Sequence, residues 1–298
     1  MKRRDFFKTT LGLALSGTLV RSFAQNAPVI SKIEASGGSL KKAADRVTLG
    51  KTGIVASRLA LGTGSNGWNG KSNQTRKMGL EGLALFFTEA YGKGINFWDA
   101  ADQYGSHPFL KEALKSVPRD KVVILTKTRA ESAKDMQSDL DRFRRELGTD
   151  MIDILLLHCK TDPAWPQQCQ GAMEVLSKAR EAGIIRAHGV SCHSFGALET
   201  AAAEPWVQID LARINPAGVV MDAAVEKVVP VLMQMHDAGK GVIGMKIFGA
   251  GKLVSRMDEC LRFVLQQDFV DSFSLGFESL EQMREGIARL DRAGESLG

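Results

Sequence analysis

The chain has 298 residues, 44% hydrophobic and 24% charged, with only 8 prolines, which argues against a disordered or fibrous protein and for a globular one with a large core. Its net charge of +5 is concentrated at the start: residues 1–24 hold five basic residues and one acid, so the rest is nearly neutral and nucleic-acid binding is disfavoured. Four cysteines (Cys159, Cys169, Cys192 and Cys260) are too few for a disulfide scaffold and contain no CxxC pair, so no metal site is expected.

In chain order, the first segment is of a distinct kind. Lys2-Arg3-Arg4-Asp5-Phe6-Phe7-Lys8 leads into the weakly apolar run Thr9–Val20, then Ser22-Phe23-Ala24. An arginine pair before an apolar run too short to span a bilayer, closed by small residues, reads as a twin-arginine export signal cut after Ala24. That reading implies passage through the twin-arginine (Tat) export machinery to the periplasm. Gly12, Ser16 and Gly17 make the run a poor permanent anchor, so no stable membrane span is expected. Residues 25–44 have no sustained apolar period and read as a linker, leaving 45–298 as one folded domain.

Val47-Thr48-Leu49-Gly50 and Gly53-Ile54-Val55 predict a small β-hairpin. Eight short apolar runs follow: Arg58–Leu61, Ile95–Trp98, Val122–Thr126, Ile152–Leu157, Ala187–Val190, Ile209–Ile214, Val242–Met245 and Ser272–Leu275. Between them lie helix-like patterns, among them Leu80–Lys93, Met136–Leu147, Ala172–Ala182, Val225–Ala238 and Leu280–Leu290; several end in glycine, at Gly94, Gly148, Gly183 and Gly239. Strands alternating with crossover helices predict a parallel sheet. Eight units in about 250 residues fit an α/β protein of the closed (β/α)8, or TIM barrel, type better than an open doubly wound sheet, with the hairpin capping its N-terminal end.

Active sites of such barrels lie at the C-terminal ends of the strands. There the sequence places Asp99, followed by Tyr104, then Lys127, His158 and Ser191. Singly, each has a plain structural explanation: a helix cap, a solvated strand end, a satisfied core histidine. Together they suit carbonyl reduction, in which hydride reaches carbon and a proton reaches oxygen. Tyr104 is the candidate acid. A phenol near pKa 10 is a weak one, and a Lys127 ammonium held by Asp99 is expected to lower that value, while His158 orients the substrate oxygen.

These residues lie in segments that resemble the aldo-keto reductase superfamily: Leu49–Gly53 through Leu61–Gly64, Asn96–Gly105, Ile124–Thr128, Asp153–His158 and Gly183–Ser191. The likeness spans roughly 45–290. It implies a nicotinamide dinucleotide extended across the barrel mouth without a GxGxxG fingerprint, NADP(H) ranking ahead of NAD(H), and a small-molecule carbonyl substrate. Ser191 matches the serine that holds the carboxamide, with Cys192 where asparagine is usual; Asn215 falls near a second carboxamide ligand. Gly64, Lys246, Phe248 and Gly249 are candidates for the nicotinamide and pyrophosphate, and Gly276, Ser279, Gln282 and Glu285 for the adenosine end. The usual cations after the eighth strand are replaced by Gly276-Phe277-Glu278-Ser279. The stretch after Leu290 is short, so Trp68 and Trp165 are expected to wall the substrate pocket.

Two other readings stand beside this one. A nicotinamide-binding sensor or partner subunit with little turnover fits a periplasm that lacks a pool of reduced nicotinamide, and a Schiff-base enzyme would use Lys127. Cys159 and Cys169 flank one loop, where oxidation would join them, although isolated cysteines more often lie free in a core.

Overall fold

The computed structural model describes residues 41–297; the expected signal, its cut after Ala24 and most of the expected linker lie outside that range. Eight parallel strands close a barrel: β3 (Leu59–Gly62), β4 (Phe97–Asp99), β5 (Val123–Thr128), β6 (Ile152–Lys160), β7 (Ile185–Cys192), β8 (Ile209–Arg213), β9 (Gly241–Met245) and β10 (Ser272–Gly276), with β10 pairing back onto β3. Every strand overlaps one of the eight apolar runs. Strands buried on both faces favour such continuous runs over alternation.

The hairpin consists of β1 (Arg46–Thr48) and β2 (Val55–Ser57), paired antiparallel. Leu49, Ile54 and Ala56 join Ala60, Phe97, Leu125, Ile154, Leu156, Ile209 and Ile243 in one buried cluster inside the barrel, so the hairpin plugs its N-terminal end. That stopper makes the interior a packed core and leaves the opposite mouth as the open end. A larger ring of apolar side chains, including Trp98, Ile124, Leu155, Leu176 and Leu232, fills the space between strands and helices.

The helices are α1 (Asn73–Gly92), α2 (His107–Ala113), α3 (Ala133–Leu147), α4 (Trp165–Gln168), α5 (Gln170–Glu181), α6 (Phe195–Ala203), α7 (Val225–Asp237), α8 (Met257–Leu265) and α9 (Leu280–Glu295). Helix α1 is broken at Gly79 (φ 64°, ψ −179°), which is why the periodic pattern in the sequence starts only at Leu80. Side-chain oxygens of Ser132, Ser194 and Ser279 accept the backbone N–H three residues on and so fix the starts of α3, α6 and α9.

Packing begins earlier than the expected start at Asp45. Ala43 is fully buried, its N–H donates to Asp291 at 2.8 Å, and Lys41 Nζ donates to the Leu265 carbonyl at 2.6 Å. No helix among the described residues is long and apolar enough to cross a membrane.

Candidate active site

Asp99, the last residue of β4, and Lys127, one residue from the end of β5, meet over the barrel mouth as a buried ion pair. Lys127 Nζ also donates to the Ala100 carbonyl at 2.7 Å, and the second carboxylate oxygen of Asp99 accepts from Ser274 Oγ of β10 at 2.7 Å. A buried charge pair holds only when its remaining polar atoms are also satisfied, and here they are. Ser274 was not singled out from the sequence, because a serine in an apolar run carries no signal of its own.

Tyr104 ends the 3-10 turn Asp102–Tyr104 that follows β4. The turn is pinned from outside by Asp102, which pairs with Arg142 of α3 at 2.7 Å, and from inside by the Gln103 carbonyl, which accepts from the Gly70 N–H at 3.0 Å. The phenol oxygen stands 3.5 Å from His158 Nε2 of β6, with the rings edge to face, and Lys127 Nζ lies 5.1 Å from the centre of the phenol ring. The four residues therefore share one mouth.

The ring has room only because two neighbours lack side chains. A Cβ on Gly64 would come within 2.4 Å of Tyr104 Cζ, and one on Gly67 within 2.3 Å of Cδ1. Gly67 is a second residue the sequence did not flag; nothing about an isolated loop glycine says which ring lies against it.

The electrostatics differ from expectation at Tyr104. Burial, then the negative charge of Asp99, raises its pKa well above 10, where a lowering by Lys127 was expected. The ammonium is engaged by Asp99 and a carbonyl oxygen, so little of its field remains to stabilise a phenolate. The phenol stays protonated and can release its proton only to a strong base. His158 moves the other way: desolvation, reinforced by the charges of Lys127, Arg129 and Lys246, holds its pKa well below 6.5. It is a neutral imidazole, with Nδ1 buried and unpartnered.

A groove of about 560 Å³ runs from Asp99 and Tyr104 past Lys246 and Phe248 to Gly276, Gln282 and Glu285, and Gly64 lines its inner end. That volume is in the range of small-molecule and cofactor sites. At its floor a Cβ on Gly276 would strike Ser65 Oγ at 2.6 Å, so the groove depends on glycine there.

Several of the other candidate residues are engaged within the protein. Asn215 uses both amide hydrogens on the Val219 and Lys246 carbonyls and its oxygen on the Ala217 and Val219 N–H groups, which leaves no donor for a carboxamide. Cys192 is fully buried, its thiol donating to the Ala197 carbonyl on the helix side of β7. Ser191 Oγ accepts from the Cys159 N–H at 3.0 Å. Gly249 packs under Val219 and Leu253, and Ser279 caps α9. Trp165 is a core residue with no exposure, its indole N–H reaching the Ala197 carbonyl, so it cannot wall a pocket: the short helix α4 turns it inward. Trp68 is 56% exposed, with the Arg129 guanidinium 5.4 Å from its ring. All four cysteines are free thiols.

A closed parallel barrel with an acid, a buried ion pair and an imidazole around a groove defines a class of barrel enzyme. Residues 58–260 match the Aldo/keto reductase family, and the chain belongs to that family. Among its relatives are the NADH-specific methylglyoxal reductase of Escherichia coli, 28% identical over 49% of this chain and 51% of the relative, and the aldo-keto reductase YhdN of Bacillus subtilis, 32% identical over 51% and 48%. The chain spans about half the length of the curated relatives it matches. In fold it resembles a solved Pseudomonas aeruginosa chain assigned to the aldo-keto reductases (TM-score 0.71, 20% identity, covering 85% of this chain and 98% of the other) and the holo form of a Bacillus halodurans aldo-keto reductase (TM-score 0.66, 17% identity, covering 85% and 96%).

Proposed function

We propose that the protein reduces an aldehyde or ketone to the alcohol with a nicotinamide dinucleotide. The observation that carries this is the Tyr104 hydroxyl, held protonated 3.5 Å from His158 Nε2 with the Asp99–Lys127 pair behind it. A reduced nicotinamide in the groove would supply the hydride. Tyr104 donates its proton to the carbonyl oxygen as negative charge builds there; an alkoxide is basic enough to take it, whereas water at neutral pH is not. Neutral His158 holds that oxygen in place, and the Asp99–Lys127 pair beside the Tyr104 ring fixes the position of the acid.

The groove suits the dinucleotide: Lys246 would meet the phosphates, Phe248 flank the nicotinamide end, and Gly276, Gln282 and Glu285 border the adenosine. At that end Glu278 is held ionised, first by the Asn73 amide and then by Lys77. With both oxygens engaged and its charge matched by Lys77, Glu278 does not select between NAD(H) and the NADP(H) that the family resemblance ranks first.

Replacing Tyr104 by Phe removes the acid and keeps the ring. The expected result is a fall of about 1,000-fold in kcat with dinucleotide affinity unchanged, measured by NADH oxidation over a carbonyl panel. Retained turnover would overturn the assignment.

We also propose export through the twin-arginine route, supported by Arg3-Arg4 ahead of a short apolar run. Mass spectrometry of the periplasmic fraction should find a chain beginning at Gln25, and a variant carrying Arg3→Lys and Arg4→Lys should stay in the cytoplasm with residues 1–24 attached.

A further inference from the structure

Arg129 follows β5 directly and pairs with no carboxylate among the described residues, although several acids are near in sequence or space. Asp99 is taken by Lys127 and Ser274, Glu131 by Lys160 at 2.9 Å, and Asp139 by Arg142 at 2.7 Å and by Thr128. The guanidinium instead lies over the Trp68 ring, 5.4 Å from its centre. Arg129 is exposed, and among the described residues its N–H groups have no hydrogen-bond partner, so its guanidinium fork is available to grip a carboxylate through two parallel hydrogen bonds.

This cation acts on the catalytic centre: its charge helps depress His158, and also His193, which burial and the surrounding cations hold at a pKa of about 4. Neutral His193, its Nε2 3.6 Å from Cys159 Sγ, therefore adds no competing charge at neutral pH. The other unpaired cation at the mouth, Lys246, lines the groove and is accounted for by the dinucleotide's phosphates, whereas Arg129 is not among the groove's lining residues.

Resting on carbonyl reduction as the activity, we propose that the substrate is an oxo acid: a carbonyl compound whose carboxylate is gripped by Arg129 and whose carbon chain lies against Trp68, with the carbonyl oxygen at Tyr104 and His158. The same fork would accept a phosphate of the cofactor, so the test must separate the two sources of anion.

The probes are 4-carboxybenzaldehyde and its neutral methyl ester, titrated calorimetrically into the full-length protein in the presence of NAD⁺. The wild type should bind the acid about tenfold tighter than the ester, as expected for one charge-assisted contact at an exposed site. Arg129→Gln should bring that ratio close to one, whereas Lys246→Gln should weaken NAD⁺ binding and keep the ratio. Equal affinity for acid and ester in the wild type would overturn the proposal, as would an Arg129→Gln variant that loses NAD⁺ affinity while keeping the preference. NADH oxidation with the same two aldehydes separates the proposal from the activity it rests on. Tighter binding of the acid with no NADH oxidation sinks carbonyl reduction and leaves the carboxylate site standing; turnover of both aldehydes at equal kcat/KM does the reverse.

Discussion

Along the β4–β6 arc of the barrel mouth the candidate residues are side chains gripped or faced by one another, whereas along the β8–β10 arc Lys246, Phe248 and the glycines around them line an open groove. Lys127 is held by Asp99, Asp99 by Ser274, and Tyr104 faces His158. Across the mouth, Gly276 keeps the floor open and Lys246 is the one cation among the residues that line the groove. The contrast suits the two tasks proposed for them. Moving a proton requires particular functional groups in fixed relation, and accommodating a long ligand mainly requires room.

The most severe way to break the first arc is Lys127→Met, which leaves the Asp99 carboxylate buried without its counter-ion. A loss of about 4 kcal/mol in unfolding free energy is expected, along with most of the turnover, and chemical denaturation would measure it. Wild-type stability would show that the pair does not organise the mouth.

The contrast is sharpened by adding the same methyl group on each side. Gly67→Ala drives a Cβ into the Tyr104 ring and should lower kcat about 100-fold while dinucleotide binding stays within about twofold. Gly276→Ala drives a Cβ into Ser65 at the groove floor and should raise the KM for the dinucleotide about tenfold with a smaller change in kcat. Identical effects of the two substitutions would dissolve the distinction.

An effect seen only as pH changes is expected at another buried acid, Asp210 of β8, which supplies the counterexample to Asp99. It is fully buried, with one carboxylate oxygen unpartnered; burial first, and then the charge of Asp222, push its pKa up to about 8. A carboxyl whose folded-state pKa is raised stabilises the fold fully only below the unfolded value of about 4, and that contribution is lost as pH climbs toward 8. Asp210→Asn should therefore be more stable than the wild type at pH 8 and lose that advantage near pH 4, as thermal unfolding across that range would reveal.

The eight strands were legible because burial on both faces demands continuous apolar runs, and the long helices because α3, α5 and α9 carry clear 3.6-residue stripes. Short α2, α4 and α6 were not, since seven, four and nine residues hold too few turns to show a period. Misreading α4 also placed Trp165 on a loop, and so at the pocket.

Among the candidate residues, Asp99, Tyr104, Lys127 and His158 could be picked out because each stands at or just past a strand end with a side chain whose chemistry is unusual there. The type and order of the elements, the barrel they imply and the residues at its mouth are local properties, written in patterning and in residue chemistry at strand ends. Only the tertiary structure decided the rest: that Asn215 serves its own loop, that Cys192 faces the helices, that Ser274 holds Asp99 from across the barrel, that Gly64 and Gly67 clear space for one ring, and that Tyr104 is made a weaker acid. Each of these depends on which atoms meet across long stretches of chain and on how much water they lose there, and neither quantity is present in a residue's name or spacing.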